Sequence, residues 1–249
     1  MRKAPKMIMF DFGHTLCDEP EYDRPAAFAA IEKHIVKNPL RYTKEDIQKA
    51  VMDMIHPAML SLHKVLLDFR ATDVYRIMTD YLQIELDIDP YEAETVAWDA
   101  VSYGSQMPGA DDMLAFLEKK GIRYAVISNY FWSGRAIETR LKSALPDRKF
   151  EFVMASSDYL FRKPSTNLFK IGLAKAGLPA EDVWYCGDKM LPDVIGSSSA
   201  GIFPVLYKKN KRPNYNAMFD LPAGRKPDCD YMEIEEWSEL TNYLETLEN

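Results

Sequence analysis

The chain has 249 residues, 47% of them hydrophobic and 28% charged, enough for one sizeable core or a core with a smaller domain beside it. Its net charge of −7 and pI near 5.2 argue against nucleic acid or an anionic membrane as the main partner, because neither favours an acidic surface. Cys17, Cys186 and Cys229 lie far apart without metal-ligand spacing, which excludes a disulfide framework or a zinc site and leads us to expect a cytoplasmic protein.

In chain order, basic residues at the amino terminus precede only four apolar ones, Met7 to Phe10, too few for a secretory signal, and no later apolar run has transmembrane length. The four predict a short buried strand instead, with Asp11, Phe12, Gly13, His14 and Thr15 behind it. A carboxylate at the end of a buried strand is costly unless something uses it.

From Asp18 to Met107 the sequence is helical in character, with little strand signal. Phe28, Ile31 and Ile35 recur at helical spacing. Thr43 to Asp46 reads as a capping box ahead of Ile47, Val51 and Met54. A further helix is expected from Thr72 through Tyr75, Met78 and Leu82, and Asp89-Pro90 reads as the N-cap and first residue of another that carries Val96 and Val101. From Pro108 onward strands and helices alternate. The strands are Tyr124 to Ile127, Phe150 to Met154, Val183 to Cys186, Phe203 to Tyr207 and Asp230 to Ile234. The helices carry Leu114 and Leu117, Ile137 and Leu141, Leu168 to Leu173, and Trp237, Leu240, Leu244 and Leu247. Such alternation predicts an α/β fold, a parallel sheet covered on both faces. The first strand would join that sheet, leaving residues 18–107 as a helical insertion and residues 1–17 and 108–249 as the core.

In open parallel sheets, ligands sit outside the carboxyl ends of the strands. Four polar clusters occupy such ends: Asp11, Ser128-Asn129, Lys163-Pro164, and Gly187-Asp188 with Asp193 five residues on. Singly each reads as a turn, a cap or a solvated loop residue. Together, three carboxylates facing one crevice would repel one another unless a cation and a lysine balance them.

The stretches FDFGHTL, ISN, RKPSTNLF and YCGDKMLPD, in this order, with PGADDMLAFLEKKG before the second and SSSAG after the fourth, resemble the motifs of the haloacid dehalogenase-like hydrolase superfamily. Most of its members are magnesium-dependent phosphatases. The resemblance implies a Rossmann-like core with a mobile, all-helical cap at residues 18–107. It makes Asp11 the nucleophile, Ser128 a donor to a phosphoryl oxygen, and Lys163 the neutralising charge. Mg²⁺ would be held by Asp11, the Gly13 carbonyl, Asp188 and Asp193. Asn129 would orient the loop or contact substrate, Thr15 would support the first loop, and the substrate would be a small phosphorylated metabolite.

Gly13 departs from the family pattern, which has a second Asp there to protonate the leaving group and activate water. A general acid is worth roughly a hundred- to ten-thousand-fold in rate. His14, where the family usually has Gly, is an imidazole that could supply the proton; its other reading is a surface or substrate-contacting histidine. Three functions stay open: a phosphate-ester hydrolase; a carbon-centred hydrolase acting on a haloacid or phosphonate; and an idle binding homologue. The family's dehalogenases generally lose the acidic pair that Asp188 belongs to, while Lys33, Lys49 and Lys64 keep the phosphonate route open. Asp18, Glu19, His56, His63, Arg70 and Trp98 are the expected choosers of substrate.

Overall fold

The computed structural model describes residues 2–19, 23–101, 104–209 and 227–247. The apolar run Met7–Phe10 is strand β1, and all four of its side chains are fully buried. Two short strands, β2 (Cys17–Asp18) and β5 (Ser105–Gln106), pair antiparallel and bring the two ends of the insertion side by side. Between them lie helices α1 (Arg24–Glu32), α2 (Lys44–Lys64), α3 (Ala71–Leu82) and α4 (Pro90–Val101). The capping box forms: Thr43 Oγ1 accepts from Asp46 N, and Asp46 accepts from Thr43 N. Asp89 likewise caps α4, accepting from the backbone N–H groups of Tyr91 and Glu92.

Ile35 differs from its expected place. Helix α1 stops at Glu32, and Ile35 opens strand β3 (Ile35–Lys37), antiparallel to β4 (Glu85–Leu86). The chain turns at His34, whose ring lies 2.9 Å from Asp87 Oδ1 and whose carbonyl accepts from Asp87 N at 3.0 Å. An i+4 spacing looks the same whether the last residue continues a helix or leaves it.

The remaining strands are β6 (Arg123–Ser128), β7 (Val153–Ala155), β8 (Val183–Gly187), β9 (Phe203–Tyr207) and β10 (Met232–Ile234). β7 and β10 are shorter than their apolar runs, and the final helix, Trp237–Glu245, ends before Leu247. The six-stranded sheet runs β10-β9-β8-β1-β6-β7 with every pairing parallel. Side chains alternate between its faces. Ile8, Phe10, Tyr124, Val126, Trp184 and Cys186 pack on one side, and Met7, Met9, Ala125, Ile127 and Tyr185 on the other. Burial on both faces explains why these strands read as nearly unbroken apolar runs.

β1 is the central strand at which the order reverses, and its register positions the site. Phe10 pairs with Val126 on one side and Cys186 on the other. Asp11 therefore stands level with Ile127 and Gly187, with Ser128 and Asp188 one residue further along the same edge. No described helix is long and apolar enough to cross a membrane.

Candidate active site

Asp11 leaves β1 buried, its N–H donating to the Cys186 carbonyl at 2.8 Å. Its Oδ1 accepts from Ser128 Oγ at 2.6 Å and from Lys163 Nζ at 2.9 Å. Lys163 is itself buried and uses all three of its protons, donating also to Tyr185 Oη and to Asp193 Oδ1, both at 2.6 Å. Tyr185 Oη in turn donates to the Ile127 carbonyl at 2.7 Å. Asn129 fixes the lysine from the backbone: its Oδ1 accepts from Lys163 N at 2.7 Å and its Nδ2 donates to Lys163 O at 2.8 Å.

Asp193 sits on a π-helical turn, Met190–Ile195, directly after β8. Its Oδ2 accepts from Lys189 N and its carbonyl from Ser197 Oγ. A Cβ on Gly187 would stand 2.4 Å from Asp193 Cγ, closer than side chains come. Gly187→Ala is therefore expected to cost about 1–3 kcal/mol by overpacking and to push Asp193 off Lys163. Urea unfolding checks this, and an unchanged midpoint would contradict it.

Asp188 is buried, and neither of its carboxylate oxygens has a hydrogen-bond partner; the Lys189 ammonium lies 3.9 Å away. Burial pushes its pKa up to about 7, against the pull of Lys189. Burial also pushes Asp11 up, but Lys163, Lys189 and the bond from Ser128 outweigh it and hold that carboxyl below its ordinary value. Asp11, Asp188 and Asp193 each offer an oxygen within 4.8 Å of the others. Three buried carboxylates, one without partners, fit a hard divalent cation, whose ligands are oxygens.

The geometry thus brings Asp11, Ser128, Asn129, Lys163, Asp188 and Asp193 together. Gly13, two residues past Asp11, bridges to Cys17. His14 is 3% exposed, which corrects its reading as a surface residue. It holds φ at 59°, a conformation that favours glycine, with Nδ1 3.3 Å from Asp18 Oδ1. The Thr15 hydroxyl is buried without a hydrogen-bond partner, so any support it gives the loop comes from packing.

Of the expected substrate-choosing residues, Glu19 and Trp98 tie the insertion to the core. Glu19 accepts from Trp98 Nε1 and Tyr130 Oη, both at 3.2 Å, and Trp98 stacks on Trp132. Arg70 faces Asp158 at 3.5 Å. His56 and His63 line a cavity of ≈ 420 Å³ that also reaches Asn129 and Arg162. Lys33, Lys49 and Lys64 are exposed and outside that lining, and Lys49 pairs with Asp53.

Sequence reasoning missed Tyr185 and Asp68. Tyr185 is a hydroxyl inside a fully buried strand, which needs a partner and could have been flagged on that ground. Asp68, buried in the insertion, accepts from Ser156 Oγ and Arg162 Nη1 at 2.5 Å each and so grips the residue before Lys163. Nothing local marks it out.

The sequence profile described as haloacid dehalogenase-like hydrolase matches residues 8–206. The glyceraldehyde 3-phosphate phosphatase of Pyrococcus abyssi is 25% identical over 216 residues, which is 83% of this chain and 82% of that protein. Two solved structures share the fold. A phosphatase from Thermococcus onnurineus superposes with a TM-score of 0.59 at 19% identity over 98% of both chains. A 2-haloacid dehalogenase from Pseudomonas syringae pv. Tomato superposes at 0.57 and 21% over 99% of both. On the profile match, the chain belongs to the haloacid dehalogenase-like hydrolases.

Proposed function

We propose that this hydrolase is a magnesium-dependent phosphate-ester hydrolase acting on a small phosphorylated metabolite, with Asp11 as nucleophile. The observation that carries the reading is a single anchored carboxylate: Asp11 Oδ1 holds both Ser128 and Lys163, at the head of a cluster in which Asp188 lacks a partner. Kept anionic by its neighbours, Asp11 needs no base before it attacks phosphorus. The P–O bond to the leaving group breaks as the aspartyl phosphate forms, and water then returns the carboxylate and releases phosphate. Ser128 and Lys163 are the donors for charge that develops on the transferring group. Mg²⁺, held by Asp11, Asp188, Asp193 and the Gly13 carbonyl, would supply positive charge that lets a phosphate approach a carboxylate of its own sign.

In this reading residues 18–107 are a cap that shields the reaction from water, and residues 1–17 and 108–249 are the catalytic core. Residues 210–226 of that core lie outside the described residues. A cytoplasmic setting belongs to the same proposal, supported by three unbridged cysteines. Gly13 would suit a halide-releasing enzyme as well, since halide leaves without a proton; retention of Asp188 favours the phosphatase. A screen of phosphate monoesters, a phosphonate and a haloacid, with Mg²⁺ and with chelator, separates them. Haloacid turnover indifferent to chelator would overturn the proposal.

The metal also sets a pH dependence. Asp188 ionises near 3.8 in the unfolded chain and about 7 in the folded one, so the folded protein binds the extra proton between those values. Without metal, the stability from this group is complete below pH 3.8 and is lost as pH rises through about 7. A divalent ion takes the ionised site. Mg²⁺ is therefore expected to raise the melting temperature more at about pH 8 than at about pH 5. Asp188→Ala should abolish both that shift and metal-dependent turnover, and a variant that kept them would remove Asp188 from the metal site.

A further inference from the structure

The ≈ 420 Å³ cavity lies between the insertion helices and the loop after β6. Its walls are mostly apolar: Phe28 and Ile31 on α1, Ile55 and Met59 on α2, Met78 on α3, and Phe131 from the core. Among the described residues, no carboxylate lines it. Three of the polar groups that reach it are engaged elsewhere. Arg162 donates to Asp68, Tyr130 donates to Glu19, and Asn129 clamps the Lys163 backbone, while His63 Nε2 lies 3.4 Å from the Asp68 carboxylate without a hydrogen-bond partner. Arg24 rests its Nη1 3.0 Å from Met52 Sδ. Burial also lowers the pKa of His63, which favours a neutral ring at the wall.

The cavity lining includes Asn129 and Arg162, the chain neighbours of Ser128 and Lys163. A group esterified to a phosphate at Asp11 therefore has this space beside it. The volume falls in the range of about 300–1,000 Å³ typical of small-molecule pockets. A sugar or polyol would bury hydroxyls there against carbon, and each hydroxyl left without a partner lowers affinity. An aromatic or branched aliphatic body loses nothing polar and gains contact with Phe131 and the methionines.

We propose that this cavity receives the organic part of the substrate and that this part is an apolar, ring-bearing body. The substrate is then a phosphate monoester of a hydrophobic alcohol or phenol, not of a sugar. The inference rests on the phosphatase reading for the phosphate end and on the cavity for the rest, and the two can fail separately.

Steady-state turnover by the full chain with Mg²⁺ is compared for 2-naphthylmethyl phosphate and glycerol 3-phosphate, which both release alkoxides, with acetyl phosphate as a small activated reference. kcat/KM is expected to favour the naphthylmethyl ester at least about a hundredfold, mostly through KM. Ile55→Phe and Met59→Trp, both at half-buried positions, fill the cavity and should each lower the naphthylmethyl to acetyl phosphate ratio at least about tenfold. Calorimetry with 2-naphthalenemethanol and with glycerol reads the cavity without chemistry: the first should bind wild type and weaken in whichever variant keeps the wild-type melting temperature, and the second should not bind. A preference for glycerol 3-phosphate, or no binding of the naphthyl alcohol to wild type, overturns the inference. Binding of the alcohol without turnover of any phosphate ester would instead uphold the cavity assignment and overturn the phosphatase reading.

Discussion

Asp11→Asn is expected to lower turnover by roughly 10⁴-fold or more while leaving the fold intact. The amide has the shape of the carboxylate but is a poor nucleophile and carries no charge. Its oxygen can still accept from Ser128 and Lys163, and Lys163 keeps Asp193 and Tyr185. The melting temperature should thus stay near that of wild type, separating lost chemistry from lost structure. Removing the charge also relieves Asp188, which Asp11 helps to push up, so the Asp188 carboxyl should move back toward its ordinary value. Acid quenching during turnover should trap phosphate on the wild-type chain and none on the variant. Full activity in Asp11→Asn would remove the aspartyl-phosphate route altogether.

The parts of this molecule that were legible in the sequence are those that depend on near neighbours. Met7 to Phe10 announced a strand because four apolar residues stop at a carboxylate, and Thr43 to Asp46 announced a helix start because a capping box spans three residues. The placement of Asp11, Ser128, Lys163 and Asp188 at one sheet edge followed from the alternation of strand and helix, since a parallel sheet gathers the ends of its strands on one side.

What escaped depends on distant pairings. Ile35 joins a strand because Leu86, some fifty residues on, stands opposite it. Tyr185 meets Lys163 because β8 lies beside β1 in a register that no short window contains. Asp68 is one acidic residue among many until the insertion folds onto Ser156 and Arg162. His14 was open to reading as a surface residue because histidine is polar; burial came from the tight loop that returns the chain to Cys17, where its N–H donates to the Cys17 carbonyl at 2.6 Å. The cavity has no sequence signature at all, as its walls come from three helices and a loop whose apolar residues would equally suit a filled core.

Restoring a carboxyl at position 13 should raise turnover of alkyl phosphates by roughly 10²- to 10⁴-fold while changing aryl phosphates little. Without an acid, a phenolate can depart unprotonated and an alkoxide cannot do so easily, so wild type should show a steep dependence on leaving-group acidity. The site has room for the change. Gly13 is not among the positive-φ residues, and a Cβ there would meet Tyr130 Cε2 at 3.7 Å and Glu19 Cγ at 3.8 Å, ordinary contacts. Burial already pushes the Glu19 carboxyl up, and an Asp placed beside it would share that environment and the repulsion of Glu19, which together favour the protonated form an acid needs. The rates are to be compared across p-nitrophenyl, phenyl and simple alkyl phosphates in wild type, Gly13→Asp and His14→Ala. A flatter dependence in Gly13→Asp alone identifies the missing acid as the cause, whereas a steeper one in His14→Ala shows the imidazole to be donating already. If wild type cleaves all three classes equally and neither substitution alters the ratios, the proton comes from another group, and Glu19, which borders the empty position, is the carboxyl to replace next.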